Sequence, residues 1–385
     1  MYQRDSVCMT LRSKKILVAT VIAASLTTPL AVTASPAEAA PPTACAFTPQ
    51  AAPTSSPVAA GAIAPTAEAN SYIDQLAAFS RLPKSVLAAN LDAAVATNRT
   101  ATAAEQRAAV ADNYGLLDDS IFSALGSRLT PAFHAAEAAG ELPKTTALLI
   151  GKKALINAYV DTSAAKKHFQ YQRPFEVAPD RITRYGDGRA DLYEAVRGSG
   201  SYPSGHTAWG YAGAIVIATL LPELGPQLLA RGADYGRHRV VLGVHYPLDV
   251  IGGRILAQAA VADALADPGF ADLVAQARAE LRAALAARAG GPIERVVACQ
   301  RNYAETGAAA TAYRRDLSWG LPRVGGDAPV QVPAGAITLL RAAHPGLNDA
   351  QLRERIARTA GPAGYPLDVT GGWQRIDLLS AWIAR

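Results

Sequence analysis

The sequence predicts an all-α protein, a multi-helical bundle followed by a C-terminal helical extension. Apolar residues recur at spacings of three and four from Ser71 to about Asp267, the period of helices that bury one face. No hairpin signal and no alternating run of strand length stands out. Alanine is abundant and aromatic residues make up only 6% of the 385, a composition suited to close-packed helices. Half the residues are hydrophobic, so a sizeable core is within reach.

The N-terminus reads as an export signal. Arg12, Lys14 and Lys15 precede an apolar run from Ile16 to Ala34, and Ala37-Glu38-Ala39 follows as a small-residue cleavage site. An uncleaved membrane anchor is the competing reading; Pro29 and the Ser and Thr residues of the run weigh against it. Cleavage near Ala39 places the protein outside the cytoplasm, secreted or periplasmic. Residues 40–70, rich in Pro, Ala, Ser and Thr, read as a linker or loosely ordered arm. Once the signal is removed, Cys45 and Cys299 remain. An oxidising compartment invites a disulfide between them, but spacing alone leaves open two free thiols.

Residues 71–267 form the main helical domain. YIDQLAAF, SVLAANLDAAVA, AAEQRAAVADNYGLL and TALLIGKKALINAYV each read as helical. Thr207 to Pro222 is apolar all round yet too short to span a bilayer, so it reads as the buried central helix. No other segment of the mature chain is a membrane-spanning candidate, and stable membrane insertion is not expected. Residues 268–385 form the extension, with a helix from DLVAQARAELRAALAARAGG and two more around AITLLRAAHP and DAQLRERIARTAG. The net charge of +5 is spread without a dense basic tract, which argues against a nucleic-acid partner.

Three patches hold the reactive residues. In AKKHFQYQRP, Lys166 and Arg173 stand seven apart, which on one helix puts both cations on the same face. In GSYPSGHTAWG, Ser204, Gly205 and His206 open the central helix. Backbone N–H groups at such an entrance favour a phosphate, with His206 in the first turn. In RVVLGVHYPLDVIGG, Arg239, His245 and Asp249 follow the pattern Arg-x5-His-x3-Asp. Pro247 suits the first turn of a new helix, with Asp249 inside it. A carboxylate on one imidazole nitrogen leaves the other free as a nucleophile. Three cations, free amides and two histidines suit phosphoryl transfer, which needs charge neutralisation and in-line positioning.

Lys-x6-Arg-Pro, Pro-Ser-Gly-His and Arg-x5-His-x3-Asp together resemble the signature of the type 2 phosphatidic acid phosphatase and vanadium haloperoxidase superfamily. GSYPSGHT is most similar to the bacterial class A non-specific acid phosphatases. The resemblance covers roughly residues 140–262 and implies a helical bundle of the acid phosphatase/haloperoxidase type. It also implies metal-independent hydrolysis of small phosphomonoesters through a phosphohistidine. His245 is then the nucleophile, Asp249 its orienting carboxylate and His206 the acid for the leaving alcohol, with an optimum in mild acid. Lys166, Arg173, Arg239, Ser204 and Gly205 hold the phosphoryl oxygens. No cofactor is implied; vanadate is expected as an inhibitor, or as the cofactor if the chain is a haloperoxidase using the same pocket. A non-catalytic phosphate-binding protein is the third reading. One departure stands out, His238 where the family usually has serine.

His134, His168 and His344 have no partner pattern, and a surface position is favoured for His168 over a place lining the site. No metal site is expected, since no His, Cys, Asp and Glu set has ligand spacing. VHYPLDVIGG has an echo, AGYPLDVTGG at 363–372, in which Gly364 replaces the histidine. Neither other patch accompanies the echo, so Asp368 reads as a helix-start residue.

Overall fold

The computed structural model describes residues 45–58, 71–115, 117–368 and 372–384. Among them no strand occurs, and the chain is a succession of helices. Ile73–Leu76 (α1) leads into Lys84–Thr100 (α2). Ala103–Tyr114 (α3) begins at a capping box, in which Glu105 N donates to Thr102 Oγ1 (3.2 Å) and Thr102 N to Glu105 Oε2 (2.8 Å). Leu117–Ser120 (α4), Leu129–Ala138 (α5) and Pro143–Leu149 (α6) follow.

Two expectations fail in the next stretch. TALLIGKKALINAYV is not one helix: α6 stops at Leu149 because Ile150 is extended (φ −109°, ψ 130°) and Gly151 is left-handed (φ 85°). Only a 3-10 turn, Leu155–Ala158, follows. Nor do Lys166 and Arg173 share a helix. Ser163–Phe169 (α7) ends where Gln170 turns left-handed, and Arg173 precedes Pro174–Val177 (α8). Pro174 bars the helical conformation from the residue before it, and Arg173 is accordingly extended (φ −83°, ψ 153°).

Gly205–Leu220 (α9) is the buried axis. Ile215, Val216, Ile217 and Leu220 are fully buried, each such burial favouring the fold by about 1.5–3 kcal/mol. The helix packs mainly against Gly225–Val241 (α10) and Pro247–Ala266 (α11). Pro247 sits at the first position of α11 and Asp249 in its first turn. Gly252 and Gly253 permit a close approach. A Cβ on Gly252 would lie 2.6 Å from the Tyr202 ring, and one on Gly253 2.6 Å from the carbonyl oxygen of Ser204. The paired glycines therefore let α11 press against the loop that enters α9.

Pro268–Ala289 (α12), Ile293–Cys299 (α13), Thr306–Arg315 (α14), Asp349–Thr359 (α15) and Leu378–Ile383 (α16) complete the chain. The helix expected around AITLLRAAHP is instead a run of 3-10 turns, Ala334–Leu340. Pro333 and Pro345 bound a segment too short to nucleate an α-helix readily. Residues beyond 268 share the core of the bundle. Tyr313 of α14 is hydrogen-bonded to Tyr211 of α9, and Trp382 of α16 donates from Nε1 to the Pro222 carbonyl (3.1 Å). Glu280 of α12 accepts from Lys144 N, Thr145 N and Thr145 Oγ1 at the start of α6.

Cys45 and Cys299 form a disulfide. The chain after Cys45 runs along α12, with Gln50 N donating to Ala287 O (2.8 Å) and Ser55 Oγ to Glu280 Oε1 (2.7 Å). The export signal expected at 1–39 lies outside the described residues. Among those described, no helix is long and apolar enough to cross a membrane.

Candidate active site

The three patches meet at one end of α9. Lys166 reaches from α7, Arg173 from the extended turn before α8, and Ser204, Gly205 and His206 stand at the start of α9. Arg239 comes from the last turn of α10, His245 from the turn between α10 and α11, and Asp249 from the first turn of α11.

The His245 ring is held from both sides. Nδ1 lies 3.0 Å from Asp249 Oδ2, and Nε2 lies 3.1 Å from Arg173 Nη1. A guanidinium can only donate, so Nε2 must present its lone pair and Nδ1 must carry the proton. The ring is thereby fixed in the tautomer a nucleophilic Nε2 requires. Burial first, then Arg173, Lys166, Arg239 and His206, hold the His245 pKa well below the usual imidazole value, so the ring is neutral. Burial also raises Asp249 to about 6, against hydrogen bonds from Ser201 and Tyr246 N and the charges of Lys166 and Arg173.

Three cations face this neutral ring. Arg173 is buried, with Nε on the carbonyls of Val196 (3.1 Å) and Ser199 (3.2 Å). Its Nη2 donates to Ser199 Oγ (3.0 Å) and Gly200 O (3.2 Å). Lys166 Nζ donates to Gly200 O (2.6 Å) and Ser201 O (3.3 Å). The two cations converge on the 199–201 loop although they come from different elements. Arg239 is fully buried; Nη1 donates to Asn113 Oδ1 (2.8 Å), while Nε and Nη2 have no partner among the described residues. Like charges 4 Å apart repel by about 4 kcal/mol at an effective dielectric of 20, and Asp249 offsets only part of this. Burial and Arg173 pull the Lys166 pKa down to about 7. An anion among these cations would relieve their repulsion.

The helix start is more selective than the sequence suggested. Ser204 N is taken by the Asp249 carbonyl (2.9 Å), and Thr207 N and Thr207 Oγ1 both donate to Ser204 Oγ. Among the described residues the amides of Gly205 and His206 therefore have no partner, and Ser204 can offer only its hydroxyl proton. The His206 ring stacks on Tyr235. Arg239 foremost, then burial, Arg173 and Lys166, push its pKa well below the imidazole norm. His206 is therefore neutral until an anion offsets those cations.

Several residues of this site were not singled out from the sequence. Ser201 is fully buried and donates from Oγ to Asp249 Oδ2, with His245 Nδ1 3.4 Å away. Asn113, at the end of α3, accepts from Arg239 with its side chain, and its backbone favours the charged form of His206. Its neighbour Asp112 pairs with Arg231 and with Nδ1 of His238, the residue that departs from the family pattern. GSYPSGH places Ser201 inside a quoted motif, whereas no local pattern marks Asn113.

The echo is no second site. Asp368 starts no helix among the described residues; it closes a turn, its N donating to Tyr365 O (3.0 Å) and its Oδ2 accepting from Gly364 N (2.7 Å). Gly364 has φ 76°, and a Cβ there would lie 2.3 Å from the Gly325 carbonyl oxygen, so no histidine fits. His168 is exposed, His134 pairs with Glu137 (3.6 Å), and His344 contacts the Ala381 carbonyl. Among the described residues no three His, Cys, Asp or Glu side chains gather as a metal site would need.

Residues 147–266 match the family model of the PAP2 superfamily, a span that holds Lys166, Arg173, Ser204, Gly205, His206, Arg239, His245 and Asp249. This segment is similar to the PAP2 superfamily. The chain is 34% identical over 126 residues to a non-specific acid phosphatase of Salmonella typhimurium, covering 33% of this chain and 48% of that protein. It is 35% identical over 144 residues to an acid phosphatase of Zymomonas mobilis, covering 37% and 52%. A non-specific acid phosphatase of Providencia stuartii is 36% identical over 121 residues, 31% and 46% of the two chains. The chain thus spans about half the length of these relatives. Asn113 and Asp112 lie upstream of the PAP2 match, as does everything α3 brings to the site.

Proposed function

We propose that the protein is an acid phosphatase that hydrolyses small phosphomonoesters through a phosphohistidine at His245. The observation that carries this reading is the fixed ring of His245, with Nδ1 held by Asp249 and Nε2 facing Arg173. Lys166, Arg173 and Arg239, with the Gly205 and His206 amides and the Ser204 hydroxyl, bind the phosphoryl oxygens. The anion offsets the charges that keep His206 neutral, and His206 then takes up a proton. Nε2 attacks phosphorus, the P–O bond to the alcohol breaks, and His206 gives its proton to the leaving oxygen. Neutral His206 next removes a proton from water, whose oxygen attacks phosphorus and expels Nε2. The ring returns to its starting tautomer and phosphate leaves. Charge neutralisation comes from side chains and helix amides, so the reading calls on no metal ion and no cofactor.

The relatives' names support the same reading, as does the proton demand at His206, which favours mild acid. We also read residues 1–39 as a cleaved export signal. A Cys45–Cys299 disulfide fits an oxidising compartment.

The test is an assay of the purified mature protein on p-nitrophenyl phosphate with chelator present, then with vanadate. Chelator-resistant hydrolysis that vanadate blocks is the expected result. Bromide oxidation by peroxide after vanadate loading, without hydrolysis, would replace this reading with a haloperoxidase. Inactivity in both assays would leave a phosphate-binding protein.

A further inference from the structure

Ser201 meets the His245–Asp249 pair on the Nδ1 side of the ring. Its hydroxyl donates to Asp249 Oδ2 and lies 3.4 Å from His245 Nδ1. Its main chain is fixed on both sides. Ser201 N donates to Tyr171 O (2.6 Å), and Ser201 O accepts from Lys166 Nζ (3.3 Å). The residue is fully buried, so the hydroxyl cannot turn away to bulk water. Three donors converge on Asp249 Oδ2, namely Ser201 Oγ, Tyr246 N (2.9 Å) and His245 Nδ1 (3.0 Å), while Oδ1 has no partner among the described residues.

We propose that Ser201 is a positioning residue for the nucleophile, holding the Asp249 carboxylate ionised and turned towards Nδ1 so that Nε2 faces phosphorus. The proposal rests on the reading of His245 as nucleophile. Ser201 is not itself the nucleophile of a serine triad, because its oxygen lies on the Nδ1 side of the ring and the attacking electron pair is on Nε2.

Chemistry gives the contact its consequence. Burial raises the carboxyl of Asp249, and the Ser201 hydrogen bond is the largest influence opposing that rise. Also facing the pair are Lys166 from α7, Arg173 from the turn before α8, His206 from α9 and Arg239 from α10. The phenols of Tyr171, Tyr202 and Tyr246 adjoin the carboxylate. None of these replaces the lost donor at Oδ2. Without it the carboxyl protonates at higher pH and ceases to accept from Nδ1, so the ring loses the partner that turns it and Nε2 is no longer held towards phosphorus.

The experiment compares Ser201→Ala with wild type across pH on p-nitrophenyl phosphate. kcat should fall about 10–100-fold, the range for partners that orient a working histidine, with KM little changed. The deficit should grow on the acid side of the optimum. Wild-type kcat with an unmoved acid limb, or a change confined to KM, would overturn the proposal. NMR of the His245 ring, which needs no turnover, should find a strongly downfield Nδ1 proton, held by Asp249, in wild type and that proton moved upfield in the variant. The same Nδ1 proton shift in both would also overturn it. If the wild type hydrolyses nothing, the phosphatase reading fails and the NMR comparison still decides the role of Ser201. Should the alanine variant not fold, Ser201→Cys keeps a weaker donor and should show the same changes at smaller amplitude.

Discussion

Lys166 shows how single residues tune the site. Its pKa, drawn down to about 7 by burial and by Arg173, stands far below the 10.5 of a free lysine. Between those values the unfolded chain holds a proton that the folded chain has released. This group therefore makes folding more favourable as pH rises through that window, and its charged form is costly below about 7. An anion reverses the preference by stabilising the charge. Sulfate, whose own charge is constant over this range, should inhibit hydrolysis less as pH rises through about 7. Lys166→Met should weaken that inhibition and flatten its pH dependence; a wild-type inhibition constant independent of pH would contradict the account. At the echo, the Asp368 carboxylate accepts from Gly364 N within its own turn, so kcat of Asp368→Asn should match wild type. A loss approaching that of Asp249→Asn would give the echo a function that its geometry denies. These site residues were legible because each lies in a dense local motif. Ser201 was in view inside GSYPSGH, but its hydroxyl acquires a role only once α11 brings Asp249 beside it.

At the scale of elements, the link between α3 and α10 stands out. Asp112 is buried between Arg231 and His238, and its neighbour Asn113 accepts from Arg239. His238 thus forms part of a clamp that holds the end of α3 over the site. Asp112→Ala leaves the buried guanidinium of Arg231 without its carboxylate, a loss of about 3–5 kcal/mol that denaturant melts should register. An unchanged midpoint would show that the clamp does not hold α3. The misreadings at this scale have physical causes. Helical spacing put Lys166 and Arg173 on one face, yet Pro174 forces Arg173 out of the helix, and the cations meet through the 199–201 loop. Pairings such as Asp112 with His238 leave no local trace, because each partner alone resembles any surface residue of an amphipathic helix. The two Gly-Gly pairs look alike in the sequence, but Gly252 and Gly253 serve a close helix contact whereas Gly372 has φ 64°.

For the whole molecule, the all-α class followed from the three- and four-residue spacing, and the central helix from an apolar run too short for a bilayer. What the extension does to the bundle was not legible. Helical periodicity reveals that a face is apolar but not which core it enters, and α14 and α16 enter that of α9 and α10. The disulfide likewise depends on proximity across 254 residues. Replacing Cys45 and Cys299 by serine should lower the unfolding free energy by about 2–5 kcal/mol while leaving kcat unchanged, since the bridge joins the N-terminal arm to α13 and not to the site. Equal stability of the two proteins would mean that the arm holds to α12 without it.

The central claim is that His245 carries the phosphoryl group. Wild-type protein quenched in alkali during turnover of p-nitrophenyl phosphate, then mapped by peptide mass, tests this most directly. The phosphoryl group should appear on His245 in the wild type and be absent from His245→Ala, which should not turn over. A label on Ser201, Ser204 or His206, or undiminished hydrolysis by His245→Ala, would contradict the account.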